Sequence, residues 1–257
     1  MNRSQIFDVS VVIPTIGRET LRRAVESVFA QKFSGTIQIL VGVDVDMFGK
    51  CPELRDELLA HCPSHIRMTW LDLGYSTSKR HGGVHSCQFG GALRSILTMC
   101  AQAEVVAYLD DDDWYDHSHI EAIRQAIAGR RWAYSLCWYA DSNSDRSLCV
   151  DEIESVGPDR GVFRKLGGFV RPSALAINKL AVSHVIPSWS QSYLANGDGE
   201  DRIVFAQLRR EQNFGATGKP TVCFSLDPRD AMHPVRVEFM RLKGVQFDAQ
   251  SKIGSIR

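Results

Sequence analysis

A chain of 257 residues with 44% apolar content has room for one large domain or two closely merged halves, and its composition is far from that of disordered chains. Its 30 Lys and Arg balance 30 Asp and Glu, which argues against a surface given over to nucleic acid. Seven cysteines without a C-x-x-C pair suit a reducing, cytoplasmic setting, and no window reaches the roughly 18–20 apolar residues of a spanning helix, so any membrane contact is expected to be peripheral.

Taken in chain order, Asp8 to Pro14 reads as a buried strand, β-branched and stopped by a proline that cannot donate to a ladder. Leu21, Ala24, Val25, Val28 and Phe29 then form one apolar helical stripe. Ile37 to Val43 is the next strand and ends at Asp44, and a short helix follows Pro52 over Glu53 to His61. Arg67 to Leu71 reads as a strand, Gly74 to Gly91 as a long loop, Ala92 to Ala101 as a helix, and Val105 to Leu109 as a buried strand running into four aspartates. This alternation predicts parallel βαβ units, in which ligands bind beyond the carboxyl ends of the strands, where Asp44 and Asp110 both fall. The second half is less regular. A helix is expected over Ile120 to Ala128, strands over Trp132 to Ala140 and Ser173 to Ile177, and a turn at Asp141 to Asp145. Gly157 to Arg171 reads as a loop, a helix starts near Glu200, Thr221 to Leu226 forms a last strand, and the tail from Gly244 is weakly ordered.

Asp110-Asp111-Asp112-Asp113 carries the chemistry. Adjacent carboxylates raise one another's pKa and destabilise the fold unless something positive offsets them. Mg²⁺ or Mn²⁺ would do so, since both take hard oxygen ligands and complete their shell with waters and a substrate diphosphate. Alternation along the backbone would point Asp110 and Asp112 to one site and Asp111 and Asp113 to another. The plainer alternative is a solvated acidic turn ahead of a helix.

Val11-Val12-Ile13-Pro14-Thr15, the strand ending at Asp44, the aspartate run and Gly199-Glu200-Asp201-Arg202 follow one another as in the family 2 glycosyltransferases, which this chain resembles over about residues 8–210. The resemblance implies a GT-A fold: α/β, a Rossmann-like mostly parallel sheet flanked by helices, with a smaller mixed sheet on the acceptor side. Residues 1–115 would form the nucleotide-sugar half and 116–257 the acceptor half. It implies an inverting transfer from a nucleotide-diphosphate sugar to a saccharide, lipid-linked or other hydroxyl acceptor, as in polysaccharide or glycoconjugate synthesis. Pro14, Thr15, Asp44, Asp110 and Asp111 would bind the donor, Asp112 would ligate the metal, and Asp113 would support it from behind. Asp201 would be the general base, a role that Glu200 could share. His233 resembles the late histidine that completes the metal shell in many GT-A enzymes. Asp44 suits the imide of uracil or thymine, so a UDP- or dTDP-sugar is preferred. The loop bearing Lys79 and Arg80 is longer than in the family; these cations meet the diphosphate or are simply solvated. Trp114 and Trp189 are candidates to stack on sugar rings. The absence of a Gln-x-x-Arg-Trp motif points to single additions rather than processive synthesis.

Two other readings compete. A sugar-1-phosphate nucleotidylyltransferase would need a Gly-rich basic phosphate loop after the first strand, for which Pro14 to Arg18 is a poor candidate. A non-catalytic nucleotide- or carbohydrate-binding module would have no need for both the aspartate run and Glu200-Asp201.

Overall fold

The structure, a computed structural model, describes residues 7–142 and 144–245. The expected weakly ordered tail falls largely on 246–257, outside the described residues, as does position 143 of the expected turn.

Four parallel strands form the first half of the sheet: β1 (Val9–Thr15), β2 (Ile37–Val43), β3 (Ile66–Asp72) and β4 (Val105–Tyr108), in the order β3-β2-β1-β4. All residues of β1, β2 and β4 are buried, as expected for strands covered on both faces by crossover helices. Those helices are α1 (Thr20–Phe29), α2 (Cys51–Ala60) and α3 (Gly91–Cys100). The α1 stripe Leu21, Ala24, Val25 and Val28 is buried as its spacing predicts. At Gly42 of β2 a Cβ would come within 2.8–2.9 Å of Leu97 and Leu93, so the glycine lets α3 approach the sheet closely.

Most of the second half continues the same sheet, and two short strands form a separate two-stranded one. After β5 (Trp114–Tyr115) and α4 (His119–Ile127) come β6 (Trp132–Asp141), β7 (Arg146–Val150), the two-residue β8 (Gly157–Pro158) and β9 (Gly168–Phe169), and β10 (Leu175–Asn178). The antiparallel β10 joins β4 to β6 and makes one nine-stranded mixed sheet with one main core. The last strand, β11 (Phe214–Ser225), runs parallel to β6 and antiparallel to β5. It starts well before the expected Thr221, because a bulge between Ala216 and Pro220 absorbs residues that look like a turn. Between β10 and β11 lie a 3₁₀ segment over 183–190 and α5 (Glu200–Leu208). The helix α6 (His233–Leu242), not expected from the sequence, seats Met240 on Tyr139 and Leu226 in a small second core. Among the described residues no helix is long and apolar enough to cross a membrane, and all seven cysteines are free.

Candidate active site

The parallel order β2-β1-β4 sets Asp44, Thr15 and the aspartates side by side at the carboxyl edge of the sheet. The Asp44 amide donates to the Thr15 carbonyl at 2.9 Å and ties the two strand ends together. Asp44 is 3% exposed. Its Oδ1 accepts from the Ser76 hydroxyl at 2.8 Å and the Thr77 amide at 3.3 Å, while its Oδ2 is buried without a hydrogen-bond partner among the described residues. A buried carboxylate oxygen left unmatched is costly, which marks this atom as a place for an incoming donor.

The aspartate run is a turn, closed by the Asp113 amide on the Asp110 carbonyl at 3.1 Å, and it keeps the expected two-by-two alternation, with Asp110 and Asp112 partly exposed and Asp111 and Asp113 buried. Each carboxylate has its own surroundings. Asp110 pairs with Arg94, and its amide donates to the Ser173 hydroxyl oxygen at 3.1 Å. Asp111 takes the Thr15 hydroxyl at 2.7 Å, the Ile16 amide at 3.3 Å and Arg18 at 2.7 Å. Both of its oxygens are therefore spent inside the protein, and with 4% exposure Asp111 braces the turn instead of facing a donor as expected. The Thr15 hydroxyl is turned inward by the same bond, and Pro14 packs against Gly90. Asp112 is the outward member, with 43% of its side chain exposed and Arg18 at 3.0 Å. Loss of hydration and then the Asp111 charge push its pKa up to about 7, although its open side chain lets water screen part of that push. Asp113, 1% exposed, accepts from the Ser173 hydroxyl at 2.6 Å and the Ser225 amide at 2.9 Å, and burial raises its pKa well above the usual range.

Arg94 links this turn to α5. Its guanidinium pairs with Asp110 and lies 3.7 Å from Glu200 in the first turn of that helix. Burial works against the Arg94 charge, but Asp110 and Glu200 outweigh it and raise its pKa. Glu200 is 4% exposed, and burial raises its pKa to about 7 against the pull of Arg94. Asp201 is partly buried and accepts from the Arg202 amide at 2.7 Å; burial raises its pKa, Arg202 and Arg94 oppose the rise, and Asp110 adds to it. The aspartate turn and Glu200-Asp201 thus belong to one electrostatic site.

Among the described residues Asp110, Asp111 and Asp112 share two guanidiniums, those of Arg18 and Arg94, and the acidic excess reaches solvent through Asp112. That hard-oxygen, residually negative set fits a divalent cation of the Mg²⁺ or Mn²⁺ kind, which needs only one or two carboxylates when a diphosphate and waters complete its shell. Among the described residues no three His, Cys, Asp or Glu side chains converge on a metal position. His233 accordingly does not assemble with the aspartates as expected. It opens α6, 7% exposed, where burial and Arg236 lower its pKa.

The remaining candidates sit elsewhere. Lys79 and Arg80 are exposed on a 3₁₀ turn of the loop that Ser76 ties to Asp44, and the structure pairs neither with the aspartates among the described residues. Trp189 is 1% exposed, packed on Tyr108 with ring centroids 4.9 Å apart, so no face is free for the expected sugar stacking. Trp114 has the Arg23 guanidinium 3.8 Å over its ring, which covers one face, while Arg23 also donates to the Asp112 carbonyl at 2.8 Å. Sequence reasoning missed Arg18, Arg94 and Ser173. Only Arg94 carried a local signal, a charge on the buried face of α3 beside Leu97 and Thr98.

No family model matches the chain, and no curated protein matches it in sequence. Solved structures do match. TarS 1–349 of S. aureus in complex with UDP aligns with a TM-score of 0.62 and 12% identity over 94% of this chain and 67% of that one. The chain shares its fold with glycosyltransferases. For the longer S. aureus TarS the TM-score is 0.59 at 13% identity, and the match covers 94% of this chain but only 41% of that one. The mannosyltransferase PcManGT of Pyrobaculum calidifontis, in complex with GDP-Man and Mn²⁺, aligns with a TM-score of 0.56 and 12% identity over 91% of this chain and 61% of that one.

Proposed function

We propose that the chain is an inverting glycosyltransferase of the family 2 type, moving a sugar from a nucleotide-diphosphate donor to a hydroxyl acceptor in polysaccharide or glycoconjugate synthesis. The observation that carries this reading is the Arg94 bridge, which unites the Asp110–Asp113 turn and Glu200-Asp201 in one site. The TarS complexes with UDP and UDP-GlcNAc and the PcManGT complex with GDP-Man and Mn²⁺ support a nucleotide-sugar donor and a divalent metal on this fold.

In this mechanism the unmatched Asp44 Oδ2 accepts the imide N–H of the base, which favours a UDP- or dTDP-sugar. Asp110, oriented by Arg94 and Ser173, faces the ribose side. Asp112, with Asp110 beside it, would hold Mg²⁺ or Mn²⁺, which supplies positive charge to the diphosphate as it departs. Lys79 and Arg80, on the loop tied to Asp44, would add cations to the same end. Asp201 accepts the acceptor hydroxyl proton while that oxygen bonds to the anomeric carbon and the bond to the diphosphate breaks. Its raised pKa makes it a stronger base than an ordinary aspartate, and such a base contributes ~10²–10⁴-fold. Glu200, buried against Arg94, holds the two halves of the site together and is the less accessible of the neighbouring acids.

Thermal shift and calorimetry with UDP, dTDP, GDP and CDP, with and without Mn²⁺, test the reading. Metal-dependent stabilisation by UDP or dTDP that disappears in Asp112→Asn is expected. Asp201→Asn should keep that binding and lose transfer by ~10²-fold or more. No response to any nucleotide would sink the proposal.

A further inference from the structure

We propose that the loop over residues 159–166 docks the protein onto an anionic lipid bilayer. The loop, Asp159-Arg-Gly-Val-Phe-Arg-Lys-Leu166, lines an open surface depression that shares no lining residue with the aspartate turn. Arg160, Arg164 and Lys165 line it, all three are exposed, and none forms an ion pair among the described residues. The sole acid of the loop, Asp159, is already matched by Arg209 at 3.2 Å. Three uncompensated cations on one short loop call for a polyanionic surface.

The apolar side chains between them decide which surface. Val162 is 50% exposed and Leu166 is 64% exposed, interleaved with the three cations. A dissolved polyanion gains nothing from exposed Val and Leu, whereas a bilayer accepts both at once: headgroup phosphates by the cations, the acyl boundary by the aliphatic chains. Loop residues that were merely solvated would not need such rigid seating. The Val162 amide donates to the Ile153 carbonyl at 2.7 Å, and Phe163 lies on Phe169 with centroids 5.8 Å apart. The Arg202 guanidinium sits 3.8 Å over Phe163 and 4.1 Å over Phe169. Arg202 follows Asp201 in α5, so the docking loop is clamped to the helix that carries the proposed base. The purpose of docking, bringing a lipid-borne hydroxyl acceptor to Asp201, rests on the glycosyltransferase reading; the docking itself does not.

Co-sedimentation of the full chain with mixed phosphatidylglycerol–phosphatidylcholine vesicles, against pure phosphatidylcholine vesicles, tests this. The wild type should partition onto the anionic vesicles only, and less so as salt rises. Each cation near such a surface is worth about fivefold, so Arg160→Gln, Arg164→Gln and Lys165→Gln combined should weaken partition by more than tenfold. Val162→Ser with Leu166→Ser should weaken it severalfold. Both variants should keep the wild-type melting temperature, which shows that they fold. No partition of the wild type, or unchanged partition of the charge variant, overturns the proposal. Unchanged partition of the apolar variant also overturns it, in favour of a free polyanion. Vesicle binding without any nucleotide response would leave docking standing and remove only the donor reading.

Discussion

A guanidinium with 4% exposure is costly to bury unless its charge is met, and Arg94 is met by Asp110 on one side and Glu200 on the other. The same residue scale separates the four aspartates. Thr15 and Arg18 consume Asp111, Ser173 and Ser225 consume Asp113, and Asp112 keeps the most open side chain of the four. Glu200 gives a pH test. Its folded-state pKa of about 7 lies above the ordinary 4.5, so the native state holds a proton that the unfolded chain has released between those values. Stability should therefore rise as pH falls from about 7 towards 4.5, by at most about 3 kcal/mol, and level off below. Denaturant titrations across this window should show that slope in the wild type and a flatter one in Glu200→Gln. An equal slope in both would assign the proton to another group.

At the scale of elements, α3 and the 183–190 segment meet at a contact that only glycine permits. A Cβ on Gly91 would fall 2.1 Å from the Trp189 carbonyl oxygen and 3.0 Å from Glu200. The neighbour is backbone, so it cannot swing away. Gly91→Ala should cost ~1–3 kcal/mol as overpacking and, by shifting α3, weaken metal-dependent nucleotide binding as well. Thermal melting and calorimetry on one sample read both, and an unchanged melting temperature would show that the contact relaxes cheaply. Legibility also differs by element. The uninterrupted apolar strands β1, β2 and β4 and the periodic helix α1 agree with their sequence reading, because burial on both faces or on one stripe imprints a local pattern. The two-residue β5, the bulged start of β11 and the helix α6 left no such pattern. β5 and that bulged start exist through pairing with distant strands, and α6 through its seat on Tyr139 and Leu226.

For the molecule as a whole, a buried ionic network holds the irregular second half in place. Glu154, 2% exposed, accepts from Arg236 of α6 at 2.6 and 3.0 Å and pairs with Arg171, while Asp151 takes the Tyr139 hydroxyl at 2.9 Å and the amides of Glu154 and Ser155 at 2.7 and 2.8 Å. Removing one partner leaves charge buried without its counterpart, so Glu154→Gln should cost ~3–5 kcal/mol in chemical denaturation. A loss under about 1 kcal/mol would mean that water reaches the arginines.

The sequence by itself determined the parallel strand–helix half, the acidic run at its carboxyl edge and the start of α5 at Glu200, because each is written in residues close together along the chain. Only the tertiary structure decided which of those acids faces outward. The Thr15–Asp111 bond spans 96 positions and the Ser225–Asp113 bond 112, and no periodicity or spacing rule reaches that far. It also decided that Trp189 belongs to the core and that His233 opens a helix, since burial depends on what the rest of the chain lays over a side chain.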